Sequence, residues 1–194
     1  MNDMPTLHPV IMAVPEARQV LKGRPRVAAL RKCARDALAL SARYSGMRLG
    51  ALEKDANGAP LPSNGFFWSL SHKTALVAAV VAPMPVGIDV EHFKPVSEGL
   101  FQRLADAYEW GLAPRKDLAV FFRYWTAKEA VLKAVGRGLV DLSLCRIKQV
   151  ASDDRIVLTY GSQVWSVTHC PIAPDHLVGI TAEPEQVIWH TPVQ

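Results

Sequence analysis

Apolar residues recur along the chain with two periods, about 3.6 and 2, and the alternation between them sets the order of elements. Residues 8–14 (HPVIMAV) read as a short strand. Residues 26–42 are rich in Ala, Leu, Arg and Lys, with Val27, Leu30, Ala34, Leu38 and Leu40 on one side, which predicts a helix with an apolar stripe and a basic face. Asn57-Gly58 followed by Pro60 and Pro62 marks a turn. Residues 66–70 and 74–82 read as strands parted by a polar break, Ser71-His72-Lys73, and 86–90 as a further strand after Pro83 and Pro85. Helices are predicted over 97–110 and 116–135. The second carries the stripe Leu118, Phe121/Phe122, Trp125, Leu132 and is stopped by Gly136 and Gly138. Strand-like runs follow at 147–150, 156–160, 164–169 and 177–182, and the stretch beyond Pro184 reads as loose chain or an edge strand. Strand, helix, strands, then strand, helix, strands predicts an α+β fold of two similar halves, 1–84 and 85–194.

Composition narrows the class. The chain has 194 residues, 49% of them hydrophobic and 21% charged, enough to bury a core without staples. Cys33, Cys145 and Cys170 have no metal-type spacing and read as reduced thiols. The start, MNDMPTLHPV, lacks a basic region followed by an apolar one, so no secretory signal is expected and a cytoplasmic location is. The longest apolar run, 75–86, is broken by two prolines and is shorter than the ~20 residues a membrane span needs. The net charge is +4, and Arg18, Lys22, Arg24, Arg26, Arg31, Lys32 and Arg35 crowd one stretch. Such a patch suits nucleic acid, a polyphosphate ligand or an acidic protein, or is simply a solvated helix face.

Three places carry candidate chemistry. In Gly87-Ile88-Asp89-Val90-Glu91, Asp89 and Glu91 are two apart in a strand and project from the same face. Paired carboxylates repel unless water or a cation answers them; a hard cation such as Mg²⁺, held together with substrate phosphates, is one answer, and an exposed strand end is the other. In Trp125–Lys133, Glu129 stands four residues after Trp125 and four before Lys133, so the three share one row of the helix. Glu129 is then either an ordinary partner of Lys133 or a third metal ligand. In Ser69-Leu70-Ser71-His72-Lys73, hydroxyls, an imidazole and an ammonium on a tight connection can hold a phosphate, or form a plain polar turn. No Gly-x-Ser-x-Gly elbow surrounds either serine, which argues against a nucleophilic serine.

Taken together, WSLSHK (68–73), GIDVE (87–91) and WTAKEAVLKAVGRGL (125–139) resemble the phosphopantetheinyl transferase superfamily, in its larger class of pseudo-symmetric monomers built from two fused halves. The resemblance implies a Mg²⁺-dependent enzyme that moves the 4′-phosphopantetheine arm of coenzyme A onto a serine of an apo acyl or peptidyl carrier protein, releasing 3′,5′-ADP. It implies that the metal rests on Asp89, Glu91 and Glu129. It implies further that Glu129 and Lys133 carry the chemistry and that Arg31, Ser71, His72, Lys73, Lys128 and Lys133 hold coenzyme A, with Arg35 close behind Arg31. The first half binds the nucleotide, and the second carries the metal site and the helix. A carrier protein with an acidic surface is the implied partner, with neither nucleic acid nor membrane. A further family glutamate corresponds to Glu109. Two departures stand out: Asn57-Gly58-Ala59-Pro60 lacks the lysine of the family's Gly-Lys-Pro turn, and Lys73 replaces the last serine of Ser-His-Ser. Competing readings are a family member that binds coenzyme A without transferring it, and a nucleic-acid-binding protein that uses the basic helix. The second lacks interleaved aromatic and basic residues.

Overall fold

A computed structural model describes residues 4–191. Its elements run β1 (Val10–Ala13), α1 (Glu16–Gln19), α2 (Gly23–Tyr44), β2 (Phe67–His72), β3 (Leu76–Ala82), β4 (Ile88–His92), α3 (Glu98–Leu104), α4 (Ala107–Gly111), α5 (Leu118–Ala134), β5 (Cys145–Val150), β6 (Arg155–Tyr160), β7 (Gln163–Ile172) and β8 (His176–Thr181). The strands form two antiparallel sheets, β1-β3-β2 and β4-β8-β7-β6-β5.

The layers follow from which face of each strand is apolar. β3 is apolar at every position and is buried at every position. Val77, Ala79 and Val81 pack on Leu30, Ala34, Ala37 and Leu38 of α2, whereas Ala78, Val80 and Ala82 pack on Ile88 and Val90 of β4 and Val178 and Ile180 of β8. The opposite face of the five-stranded sheet meets α5 through Phe121, Ala127, Val131, Ile147, Ile156, Leu158 and Val167. The result is helix, sheet, sheet, helix, with α2 and α5 outside and a dry seam between the sheets. β4 sits in that seam and shows its two acidic side chains, Asp89 and Glu91, to α5. After Pro184–Gln186, Val187 and His190 form parallel bridges with Leu7 and Val10, so the chain end returns to the first half.

Helix α5 ends because Gly136 takes φ +68°, which lets Gly136 N–H bond to Lys133 O and Arg137 N–H to Leu132 O. At the other end the Asp117 carboxylate accepts from Val120 N at 3.0 Å.

Three expectations are corrected. The helix over 97–110 is two helices, because Asp106 caps α4 through a reciprocal pair with Glu109 and the chain at Ala105 is extended. Ser71 and His72 are not a break: they continue β2, pairing with Ala78 and Val77. Val27, placed on the apolar stripe of α2, is 41% exposed, because the helix extends beyond the sheet at its N-terminal end. Among the described residues, no helix is long and apolar enough to cross a membrane.

Candidate active site

The row Trp125, Glu129, Lys133 lies across β4, running opposite to it. Trp125 Nε1 donates to Glu91 Oε1 at 2.9 Å, and Lys133 Nζ reaches Asp89 Oδ1 at 2.7 Å. Glu129 occupies the middle of the row and faces both acids. Two glycines allow helix and sheet to come this close. A Cβ on Gly87 would lie 1.8 Å from the Ala130 carbonyl oxygen, and one on Gly179, the cross-strand partner of Asp89, would lie 3.3 Å from Thr126 Cβ.

The β2 strand closes the site from the first half. Ser71 Oγ donates to Asp89 Oδ1 at 2.8 Å, and Ile88 N donates to Ser69 Oγ at 3.1 Å. Lys73 Nζ pairs with Glu91 Oε1 at 2.7 Å. The residue that departs from the family's Ser-His-Ser therefore answers one of the acids on β4.

Two of the three carboxyls in this recess are raised, each in part by its acidic neighbours. Burial, then the charge of Asp89, holds the Glu91 carboxyl above its ordinary value, against the pull of Lys73. Burial and Asp89 push Glu129 up to about 6, with Glu91 adding and Lys133 opposing. Asp89 Oδ2 is buried with no hydrogen-bond partner. A buried carboxylate oxygen without a donor, beside two further carboxyls displaced upward, is a set of groups that a divalent cation would satisfy. The donor set is all oxygen, and so fits a hard divalent ion such as Mg²⁺. The three carboxylates do not close on a point, since two lysines hold Asp89 and Glu91. Among the described residues, the trio whose ligand atoms lie within 4.8 Å of one another is His92, Asp175 and His176.

A cationic tract leads away from the acids. A concavity of about 190 Å³ is lined by Lys54, Asn57, Pro60, Ser69, Leu70, Lys133, Arg137 and neighbours. A second, of about 220 Å³, shares Lys54 and Leu70 with it and continues to Arg31, Arg35 and Trp68. His72 sits among these cations: burial, then Lys133, Lys73 and Arg31, hold its imidazole below the usual histidine range. Arg31 and Arg35 are exposed on α2 and point their charge at this tract.

Asp89, Glu91, Glu129, Lys133, Ser71, Lys73, His72 and Arg31 thus belong to one continuous region. Lys128 does not, and its assignment to coenzyme A is corrected. It lies one position from Glu129, a turn of about 100° round the helix, and its side chain is 0% exposed. Its ammonium pairs with Glu109 at 2.8 Å and donates to Leu104 O at 2.6 Å, beneath α3 and α4. Glu109 is likewise sealed in, accepting from Ile147 N at 2.7 Å and from Asp106 N at 3.1 Å. Sequence reasoning missed Lys54 and Arg137. Neither stands in a motif, and only the folding of the 49–61 loop and the α5 exit against β2 brings them to the tract.

Comparison with known proteins agrees with this geometry. The 4′-phosphopantetheinyl transferase superfamily profile matches residues 85–181, which carry Asp89, Glu91, Glu129 and Lys133. The chain is 37% identical over 95 residues to 4′-phosphopantetheinyl transferase psf-1 of Bacillus pumilus, covering 45% of this chain and 40% of that protein. It is 32% identical over 146 residues to 4′-phosphopantetheinyl transferase HetI of Nostoc sp., covering 68% and 60%. With 4′-phosphopantetheinyl transferase Sfp of Bacillus subtilis it shares 33% over 76 residues, 37% and 34% of the two chains. The matches span between about a third and three-fifths of these relatives' lengths. With the match covering half of its length and Glu129 of α5 facing the two acids of β4, the chain belongs to the 4′-phosphopantetheinyl transferase superfamily.

Proposed function

We propose that the protein transfers the 4′-phosphopantetheine arm of coenzyme A to a serine hydroxyl of an apo acyl or peptidyl carrier protein. The observation that carries this reading is the antiparallel juxtaposition of Trp125-Glu129-Lys133 on α5 with Asp89 and Glu91 on β4. The serine oxygen attacks the phosphorus on the pantetheine side of the diphosphate. The bond from that phosphorus to the oxygen bridging the two phosphates breaks, and 3′,5′-ADP departs with the electron pair. Asp89, Glu91 and Glu129 are the residues that hold Mg²⁺, which when bound neutralises charge on the diphosphate.

The chain's own groups do the rest. Lys133 presents a fixed ammonium beside Asp89 and adds positive charge where the leaving phosphate gathers negative charge. Glu129 takes the serine proton on a carboxylate oxygen. Lys133, Lys73 and Arg31 around His72 offer the 3′-phosphate of the nucleotide a cationic seat, to which the imidazole adds a hydrogen bond, and the tract through Lys54 to Arg35 takes the remaining nucleotide. The basic face of α2 meets the carrier's acidic surface and sets encounter rate and salt sensitivity. The protein acts as a monomer, in the cytoplasm.

The test is incubation with coenzyme A, Mg²⁺ and a panel of apo carrier proteins, read by mass gain of one phosphopantetheine. Wild type modifies at least one carrier; Glu129→Ala modifies none, with an unchanged melting temperature. A wild-type rate in Glu129→Ala removes that residue from the reaction, and no modification of any carrier by wild type removes the reading.

A further inference from the structure

His92, the last residue of β4, and His176, the first of β8, are cross-strand partners, with ring centroids 4.8 Å apart. Asp175, the hairpin residue before β8, reaches both. Its Oδ2 lies 2.9 Å from His92 Nε2 and its Oδ1 2.8 Å from His176 Nδ1. The three are held by the fold and not by one another alone: Phe93 N donates to Asp175 O at 2.8 Å, which pins the hairpin to the chain just past His92. Each residue offers one ligand atom, and these lie within 4.8 Å of one another.

Two imidazole nitrogens and one carboxylate oxygen make a borderline donor set, unlike the all-oxygen recess around Glu129. A tetrahedral Zn²⁺, with bonds of about 2.0–2.1 Å, sets its ligand atoms roughly 3.3 Å apart. The contacts of 2.9 and 2.8 Å run to different oxygens of Asp175, so both rings already face its one carboxylate, and the ligand atom that each residue offers lies within 4.8 Å of the other two. The approach is open as well. The His176 side chain is 8% exposed, but those of His92 and Asp175 are 46% and 42%. All three line a cavity of about 470 Å³, whose other walls include Lys73, Glu91 and Lys94. Three protein ligands leave a fourth position on that cavity for water or an incoming ligand.

We propose that His92, Asp175 and His176 form a binding site for Zn²⁺ or a similar borderline divalent transition ion, separate from the three-carboxylate recess. The site does not depend on the transfer reaction. It adjoins that recess through Glu91, which lines the same cavity.

The experiment uses the untagged, chelator-treated full chain. Titration with Co²⁺ should give visible d–d absorption that saturates at one equivalent, persists in excess Mg²⁺ and is displaced by one equivalent of Zn²⁺. Calorimetry with Zn²⁺ should give the same stoichiometry. His92→Ala and Asp175→Asn, each verified as folded by its melting curve, should weaken both signals at least about tenfold, since even the outer partners of metal ligands are worth that much. Glu129→Gln should leave them unchanged. Absence of both signals in wild type overturns the proposal, as does their survival in His92→Ala and Asp175→Asn, or their loss in Glu129→Gln.

Discussion

Replacing Lys128 by Met tests whether the lysine beside Glu129 serves the fold or the ligand. The ammonium lies where water does not reach, 2.8 Å from Glu109 Oε1, and the two side chains are 0% and 2% exposed. Removing it leaves the Glu109 carboxylate buried. That group keeps the N–H donors of Ile147 and Asp106, and Arg146 Nε stands 3.8 Å away. Breaking a buried pair from one side costs about 3–5 kcal/mol. The surviving donors place this case at the lower end, about 3 kcal/mol. With a urea slope of about 2 kcal/mol per M, the unfolding midpoint should fall by about 1.5 M. Tryptophan fluorescence during urea unfolding reads it, since five tryptophans are present. Adding Glu109→Gln, which removes the stranded charge while keeping an acceptor for Ile147 N, should recover at least half of the loss. The KM for coenzyme A of the folded single variant should match wild type. A midpoint within about 0.3 M of wild type, or a raised KM with unchanged stability, refutes the assignment of Lys128 to the core and returns it to the ligand.

Lys133→Ala should lower kcat by about a hundredfold while changing KM for coenzyme A far less, as loss of a contact made mainly in the transition state does; unchanged turnover counts against its role. Gly87→Ala puts a methyl group into the backbone of α5 at Ala130 and should cost about 3 kcal/mol or more, with a matching drop in melting temperature; an unaltered melt would mean that α5 does not lie on β4 as described. Burial, followed by the charge of Arg123, pushes the His169 imidazole down to about 3, and its Nδ1 is buried without a partner. The unfolded chain therefore binds this proton first. Stability is whole above pH 6.5 and declines as pH falls toward 3, by up to about 1.4 kcal/mol per pH unit from this residue. Urea midpoints of His169→Gln at pH 7, 6 and 5 should fall less steeply than those of wild type, and parallel slopes would remove His169 as the cause.

Much of this architecture is legible in the linear order of residues, because the signals are local. The alternation in GIDVE puts Asp89 and Glu91 on one face whatever the strand packs against. The spacing of four in Trp125, Glu129 and Lys133 puts them in one row of any helix. The long apolar run at 76–82 announces a strand covered on both sides, and Gly136 announces the end of α5. These follow from backbone geometry, which each residue carries with it.

Only the tertiary structure decides which rows meet. That α5 runs opposite to β4, so that Trp125 answers Glu91 and Lys133 answers Asp89, depends on Gly87 and Gly179 leaving the sheet bare beneath the helix. Lys128 and Glu129 look alike in the sequence as charged neighbours, yet a turn of about 100° sends one into a sealed ion pair and the other to the site. The capping of α4 by Asp106, the continuation of β2 through His72, the placing of Lys54 and Arg137 on the tract, and the meeting of His92 with Asp175 and His176 all join residues far apart in the chain or turn on a local choice that packing settles. No periodicity encodes such contacts. Their free energy comes from burial and pairing that exist only once both partners are in place.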